Sequence, residues 1–212
     1  RSAEAGYRTG IVDLTAGEMG SRGTPETRLQ EAEAAARILK LSYRSNMHFP
    51  DTRLVNWVEY REKLAMSIRR LRPTTVIIPY WEARHPDHFH ASAIAFDASF
   101  LAGLRKLDPE AEPHRPLKVI YSSLYANVTP SFVVDISGQF ERRMESLLCY
   151  ESQYGSRKEA SDLFPEVSEV RDRLAGIARF YGNLIGTKYG EPFVVKETIR
   201  VDDVVAMPVR TF

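Results

Sequence analysis

A single cysteine, Cys149, stands in 212 residues. The chain can therefore form no internal disulfide, and a reducing cytoplasm is the expected setting. Cys149 follows Leu147 and Leu148 on a helical pattern and reads as a small core residue rather than a nucleophile. No apolar run approaches the roughly 20 residues that a membrane span needs. The opening stretch RSAEAGYRTG is polar and carries no secretory pattern. Charge of one sign is also lacking: the net charge of +1 gives no argument for nucleic acid or an anionic membrane. The glycines of Thr15–Gly23 (TAGEMGSRG) do not match the GxxxxGK[ST] phosphate cradle. With no repeat, low-complexity tract or linker, residues 1–212 read as one domain of ordinary hydrophobic and charged content.

What the chain does have is concentrated in one stretch, Thr75–Ser92 (TVIIPYWEARHPDHFHAS). It opens as a buried β-branched strand and breaks at Pro79. It then crowds together Glu82, Arg84, His85, Asp87, His88 and His90 before becoming alanine-rich and helical. Strand, reactive loop, helix is where an open α/β sheet places its ligand site. Three of only five histidines fall between positions 85 and 90, which favours a site over a surface loop that happens to be histidine-rich. A helix beginning near Pro86 puts His85 and His88 on one side of its first turn. Imidazoles there can ligate a metal or move protons, and an adjacent carboxylate can hold a ring in one tautomer.

Around this stretch the pattern alternates. Ser2–Gly6 resembles the last turn of a helix stopped by Gly6. Strands are expected over Tyr7–Asp13, within Leu41–Phe49, and over Thr75–Pro79, Leu117–Tyr121 and Phe132–Ile136, with short final strands through Ile199 and Val204. Helices are expected over Thr24–Lys40, Tyr60–Leu71, Asp87–Leu104, Phe140–Tyr150 and Pro165–Gly186, and Ser152–Ser161 reads as polar and mobile. Thr24 is a good N-cap and Pro25 suits the first helical position, with Leu29, Ala32, Ala36 and Leu39 on one face. Arg28 is anomalous, because a cation in the first turn opposes the helix dipole. It either pairs with Glu31 or reaches over the strand ends towards an anionic or carbonyl group. The fold class is α/β, a Rossmann-like, mostly parallel sheet with helices on both faces.

Read together, GYRTGIVDLTAGEMGSRGTPETRLQEAEAAARIL, FPDTRL, IIPYWEARHPDH, FLAGLRK with EPHRP, FVVDIS and YESQY resemble the zinc-dependent deacetylases of N-acetylglucosamine derivatives, the LmbE-like or PIG-L superfamily, most of all its bacillithiol-biosynthesis branch. The resemblance implies a Rossmann-like sheet, one catalytic Zn²⁺ and hydrolysis of a sugar acetamide, with N-acetylglucosaminyl malate as substrate. It implies that His88 is a metal ligand, and that His85, held by Asp87, supports the developing oxyanion. It implies that Arg28 contacts substrate and that Tyr189 of TKYGEPF lies at the site. Arg84 becomes a candidate for a substrate carboxylate, beside the plainer reading of a salt bridge with Glu82 or Asp87. A cytoplasmic homo-oligomer, commonly a hexamer, is implied as well.

The family's other two metal ligands and its general base belong to a His-Pro-Asp-Asp segment after the first strand. That segment is absent from this sequence, and the expectation is that it precedes Arg1 together with the first strand and most of the first helix. The alternatives are another N-acyl sugar as substrate, or a catalytically silent subunit. Phe89 replaces the usual small residue and is expected to narrow the pocket, with His90 a bystander.

Overall fold

Proline, glycine and short polar caps punctuate this chain into alternating strands and helices. The computed structural model describes residues 1–123, 128–155 and 167–209. Residues 2–6 form one helical turn closed by Gly6 at φ 86°, with Tyr7 N–H donating to the Ser2 carbonyl and Gly6 N–H to that of Ala3, both at 3.1 Å. This pair of bonds is the glycine-terminated helix end expected there.

Strand β1 (Gly10–Asp13) runs parallel to β2 (Tyr43–Asn46), connected through α1 (Pro25–Ile38). Gly10 is needed for that pairing, since a Cβ there would meet Tyr43 Cβ at 3.2 Å. In α1, Thr24 Oγ1 accepts the Thr27 N–H at 3.2 Å, as its N-cap role requires. The buried face of α1 differs from the expected one. Glu31, Ala32 and Ala35 are buried, whereas Leu29 is 45% exposed.

The second sheet has the order β3 (Thr75–Pro79), β4 (Lys118–Ser122), β6 (Gly190–Val194), β5 (Phe132–Asp135). β3 and β4 are parallel, but β6 is antiparallel to both neighbours. The fold is thus mixed α/β, and the mostly parallel expectation describes its N-terminal half. Helices α2 (Val58–Leu71) and α3 (Pro86–Leu101) pack together. Leu64, Ala65 and Ile68 meet Ile94 and Ala98 in a core that includes Ile78 and Tyr121. A second cluster joins Phe140 and Met144 of α4 (Phe140–Leu148), Ala178 of α6 (Val167–Leu184) and Tyr189.

Three expectations are corrected here. Cys149 caps the end of α4, half-exposed, with Sγ donating to the Glu145 carbonyl at 3.4 Å, so it is not a core residue. Ser152 begins no loose segment: the Glu31 carboxylate accepts its N–H at 2.6 Å and its hydroxyl at 2.7 Å, docking α5 (Glu151–Tyr154) against α1. Positions 156–161 of that expected segment, and Pro165, lie outside the described residues. Among the described residues no strand follows Val194, and Ile199 and Val204 are 55% and 81% exposed. β-Branched residues with no partner edge beside them do not make a strand by propensity alone.

Among the described residues β1 pairs only with β2, and β3 only with β4. Both free edges line one open trough of about 2130 Å³. Ile77, central in an apolar strand, is 57% exposed, although the strands of parallel sheets are ordinarily covered on both faces. No helix among the described residues is long and apolar enough to cross a membrane.

Candidate functional site

The loops after β1, β2 and β3 meet at one end of the sheets, tied by three carboxylates. Asp51 Oδ2 accepts the Met19 N–H at 3.1 Å, and the Asp51 N–H donates to Glu18 Oε1 at 2.7 Å, joining the first loop to the second. That bond holds the Glu18 carboxyl below its ordinary value. Asp87, buried in the first turn of α3, accepts the Thr52 N–H at 2.7 Å and the Leu54 N–H at 3.3 Å, joining the second loop to the third. Thr52 sits at φ 62°, a costly conformation for a β-branched residue. The Asp87 bond and one to Asp51 Oδ1 at 3.1 Å hold it there. This explains the FPDTRL stretch as a clamp.

His85 is the N-cap of α3, and its Nδ1 accepts the Asp87 N–H at 3.2 Å. A nitrogen accepting that bond carries no proton, so the neutral ring bears its hydrogen on Nε2. This corrects the role expected of Asp87. Its carboxylate is engaged with Thr52 and Leu54, and its contact with the His85 ring is through the backbone N–H. His88 lies one turn on, its ring centroid 5.3 Å from that of His85, and both line the trough. Desolvation by the surrounding protein, then the neighbouring His85, push the His88 imidazole below its ordinary value against the pull of Asp87. A neutral ring has a lone pair available to a metal.

Arg28 also lines the trough. Its guanidinium lies against Gly17 and Gly20, where added Cβ atoms would come within 3.0 and 3.4 Å of it; Gly17 also needs its φ of 68°. The glycine-rich loop is thus the bed of Arg28. No bond joins Arg28 to Glu31, whose carboxylate is engaged with Ser152. Beside it Arg44 forks onto Asp13 (Nε to Oδ2 2.8 Å, Nη2 to Oδ1 3.0 Å) and donates to Tyr150 Oη at 2.7 Å, a network that sequence reasoning missed. The Arg of YRSN, two register positions from the Asp of IVDL along the parallel pair, was its only signal.

Other expected members fall elsewhere. Arg84 is exposed and forms no salt bridge with Glu82 or Asp87. Tyr189 is buried in the second core cluster, its ring stacked on Phe140 at 4.0 Å, and it does not line the trough. The structure thus makes it a packing residue, because the antiparallel β5–β6 pair and α6 enclose it. Phe89 is 40% exposed, its ring tilted against that of His90 at 4.4 Å, and it does not line the trough. His114 Nε2 lies 2.7 Å from the Pro73 carbonyl, a structural contact.

Among the described residues no group of three or more His, Cys, Asp or Glu side chains is placed to hold a metal ion. A catalytic zinc takes three protein donors. The donors present therefore do not by themselves fit one.

The family model described as GlcNAc-PI de-N-acetylase (PIG-L) matches residues 1–99. The chain is 31% identical over 192 residues to the diacetylchitobiose deacetylase of Thermococcus kodakarensis, covering 86% of this chain and 67% of that protein. Among solved structures, a conserved protein of Thermus thermophilus shares 41% identity with a TM-score of 0.85, over 95% of this chain and 88% of that one. The N,N'-diacetylchitobiose deacetylase of Pyrococcus horikoshii, solved with an inhibitor, shares 25% identity with a TM-score of 0.76, over 91% and 74%.

Proposed function

Since this chain belongs to the PIG-L family of deacetylases, hydrolases of amide bonds, we propose that its substrate is N-acetylglucosaminyl malate and that the reaction releases acetate from the sugar nitrogen. The observation that carries this reading is the shared rim of three loops. There His85 and His88 stand on one helix turn and Arg28 lies on its glycine bed, all opening on one trough.

Within it, His88 would be one donor to a zinc ion, which when bound would polarise the attacking water. The edges of β1 and β3 that are unpaired among the described residues would accept a further parallel strand, and donors carried on it would reach the same rim. His85 donates from Nε2 to the oxyanion that forms as the acetamide carbonyl is attacked. It does so as a neutral imidazole, because its Nδ1 is already accepting from the backbone. Arg28 pairs with a malate carboxylate by its planar fork. The reading includes a cytoplasmic homo-oligomer, supported by large apolar side chains left exposed at Leu117 and Val205.

The test is acetate release from N-acetylglucosaminyl malate and from N,N'-diacetylchitobiose by the full-length protein, before and after exhaustive chelation. The malate conjugate should be the better substrate, and chelation should abolish turnover of both. Arg28→Ala should lower kcat/KM on the malate conjugate by about tenfold more than on the disaccharide. Equal losses on the two would remove Arg28 from carboxylate recognition, and full activity after chelation would end the zinc reading.

A further inference from the structure

The loop that leads from β3 to His85 is anchored at its start by an aromatic cluster unrelated to the trough. Trp81 lies against Tyr80 at 4.1 Å and meets Tyr121 edge-on at 4.8 Å and 82°. Over this cluster stands the ammonium of Lys196, which follows β6. It is 5.1 Å from the Trp81 ring centroid, 5.1 Å from that of Tyr121 and 4.8 Å from that of Phe96. The rings come from the β3–α3 loop, from β4 and from α3, and the cation comes from a fourth part of the chain. Tyr121 is fully buried and Phe96 belongs to a long helix, so two walls of the cage are fixed. Trp81 is the wall that belongs to a loop, and it is four residues ahead of His85. No carboxylate pairs with Lys196 among the described residues, so the rings are its principal partners.

We infer that Lys196 is a positioning residue for the proposed deacetylation. By attracting the Trp81 ring it fixes the departure of the loop from β3, and with it the placement of His85 at the N-terminus of α3. This rests on the reading of His85 given above. An ammonium over an aromatic face is attracted by the ring quadrupole at exposed as well as buried sites; Lys196 is exposed, and Trp81 and Phe96 are each more than a third exposed. Three rings converging on one cation fix its position, whereas a single exposed contact would not.

The test uses the full-length protein in a Trp57→Phe background, which leaves Trp81 as the only tryptophan of residues 1–212, any tryptophan outside them being replaced by phenylalanine as well. Lys196→Met keeps much of the length and removes the charge; Lys196→Arg keeps a cation that can stack on the same rings. Lys196→Met should shift Trp81 emission to longer wavelength and speed amide exchange over residues 81–88 by about tenfold. It should lower kcat by about tenfold with KM and zinc content little changed. Lys196→Arg should restore most of each. Unchanged emission and exchange in Lys196→Met would overturn the inference, and so would a changed loop with an unchanged kcat. A parent protein that released no acetate from any N-acetyl sugar would refute the deacetylase reading, and with it any catalytic consequence of the contact. Emission and exchange would then report separately whether Lys196 holds the loop.

Discussion

On the zinc reading proposed above, replacing His88 by alanine in the full-length protein is expected to abolish zinc binding and to lower kcat by at least about 10³-fold, whereas replacing His85 should leave the metal in place and lower kcat by about 10²–10³-fold. The asymmetry follows from one hydrogen bond. His85 Nδ1 accepts the Asp87 N–H. A metal taken by Nε2 of the same ring would leave neither nitrogen protonated, which requires an imidazolate. Histidine ligands ordinarily bind through one nitrogen and donate from the other. His85 in this conformation is therefore suited to donate a hydrogen bond and unsuited to coordinate. The surroundings of His88 favour the neutral ring, which has a lone pair for a metal. His85→Asn is the informative variant, because asparagine also caps a helix; an alanine there would confound the result with about 1 kcal/mol of lost capping. Zinc measured by elemental analysis separates the two roles directly. A metal-free His85→Asn protein beside a zinc-replete His88→Ala protein would exchange them.

The same bond revises how the loop carboxylate serves the site. A carboxylate two residues from a histidine suggests an orienting partner, and the spacing of RHPDH made that expectation natural. Asp87 orients His85 with its amide while its carboxylate reaches across to Thr52 and Leu54. His85, Asp87 and the strained Thr52 are thus one rigid unit, so the imidazole is aimed by backbone geometry. Asp51 extends that unit to the glycine loop beneath Arg28 through Met19 and Glu18.

How far the sequence revealed this depended on the range of the interactions involved. Local signals transferred well. Thr24 and Pro25 start α1, Gly6 closes a helical turn, and the change from VII to PYWEARHP marks the end of β3. These depend on caps, φ preferences and periodicity that operate within a few residues. The meeting of Arg28, His85 and His88 on one trough was legible because strand ends in an α/β sheet converge. What failed was long-range. The antiparallel course of β6 depends on which edge β4 leaves open. Tyr189 was assigned to the site from the YGEPF pattern, but enclosure between β5, β6 and α6 put its ring on Phe140. Leu29, read as core from helical spacing, faces the trough, and no periodicity reports whether the opposite wall is filled. Asp13 with Arg44 and Glu31 with Ser152 are pairs whose members look like ordinary surface charges until the chain brings them together.

The largest expected effect on stability belongs to a residue with no part in the site. Arg69 of α2 is 4% exposed and pairs with no carboxylate among the described residues. Its guanidinium donates to four carbonyls: Nε to Ala102 at 2.9 Å, Nη1 to Asp108 and Ala111 at 2.9 Å each, and Nη2 to Leu104. Ala102 caps α3, so two of these acceptors lie at the end of that helix, where the backbone dipoles place negative potential. Five N–H donors in a fixed fork match this set; the three donors of a lysine ammonium, radiating from one point, do not. Burying a cation costs several kcal/mol, which the four bonds and the helix end must offset. Arg69→Met removes the cation and the cost of burying it, but leaves the carbonyls of Ala102, Leu104, Asp108 and Ala111 without that donor. Buried acceptors left unpaired cost about 1–3 kcal/mol each, and partial access to water reduces the sum to about 3–5 kcal/mol. For a chain of this length that is a fall in Tm of roughly 6–20 °C. Because the α3 terminus concerned lies at the opposite end from His85, kcat/KM measured well below the transition should stay within about twofold of the parent. A melting temperature within about 2 °C of the parent would show that these carbonyls find water as readily as they find Arg69. A comparable loss of kcat/KM at low temperature would show that the two ends of α3 do not behave independently.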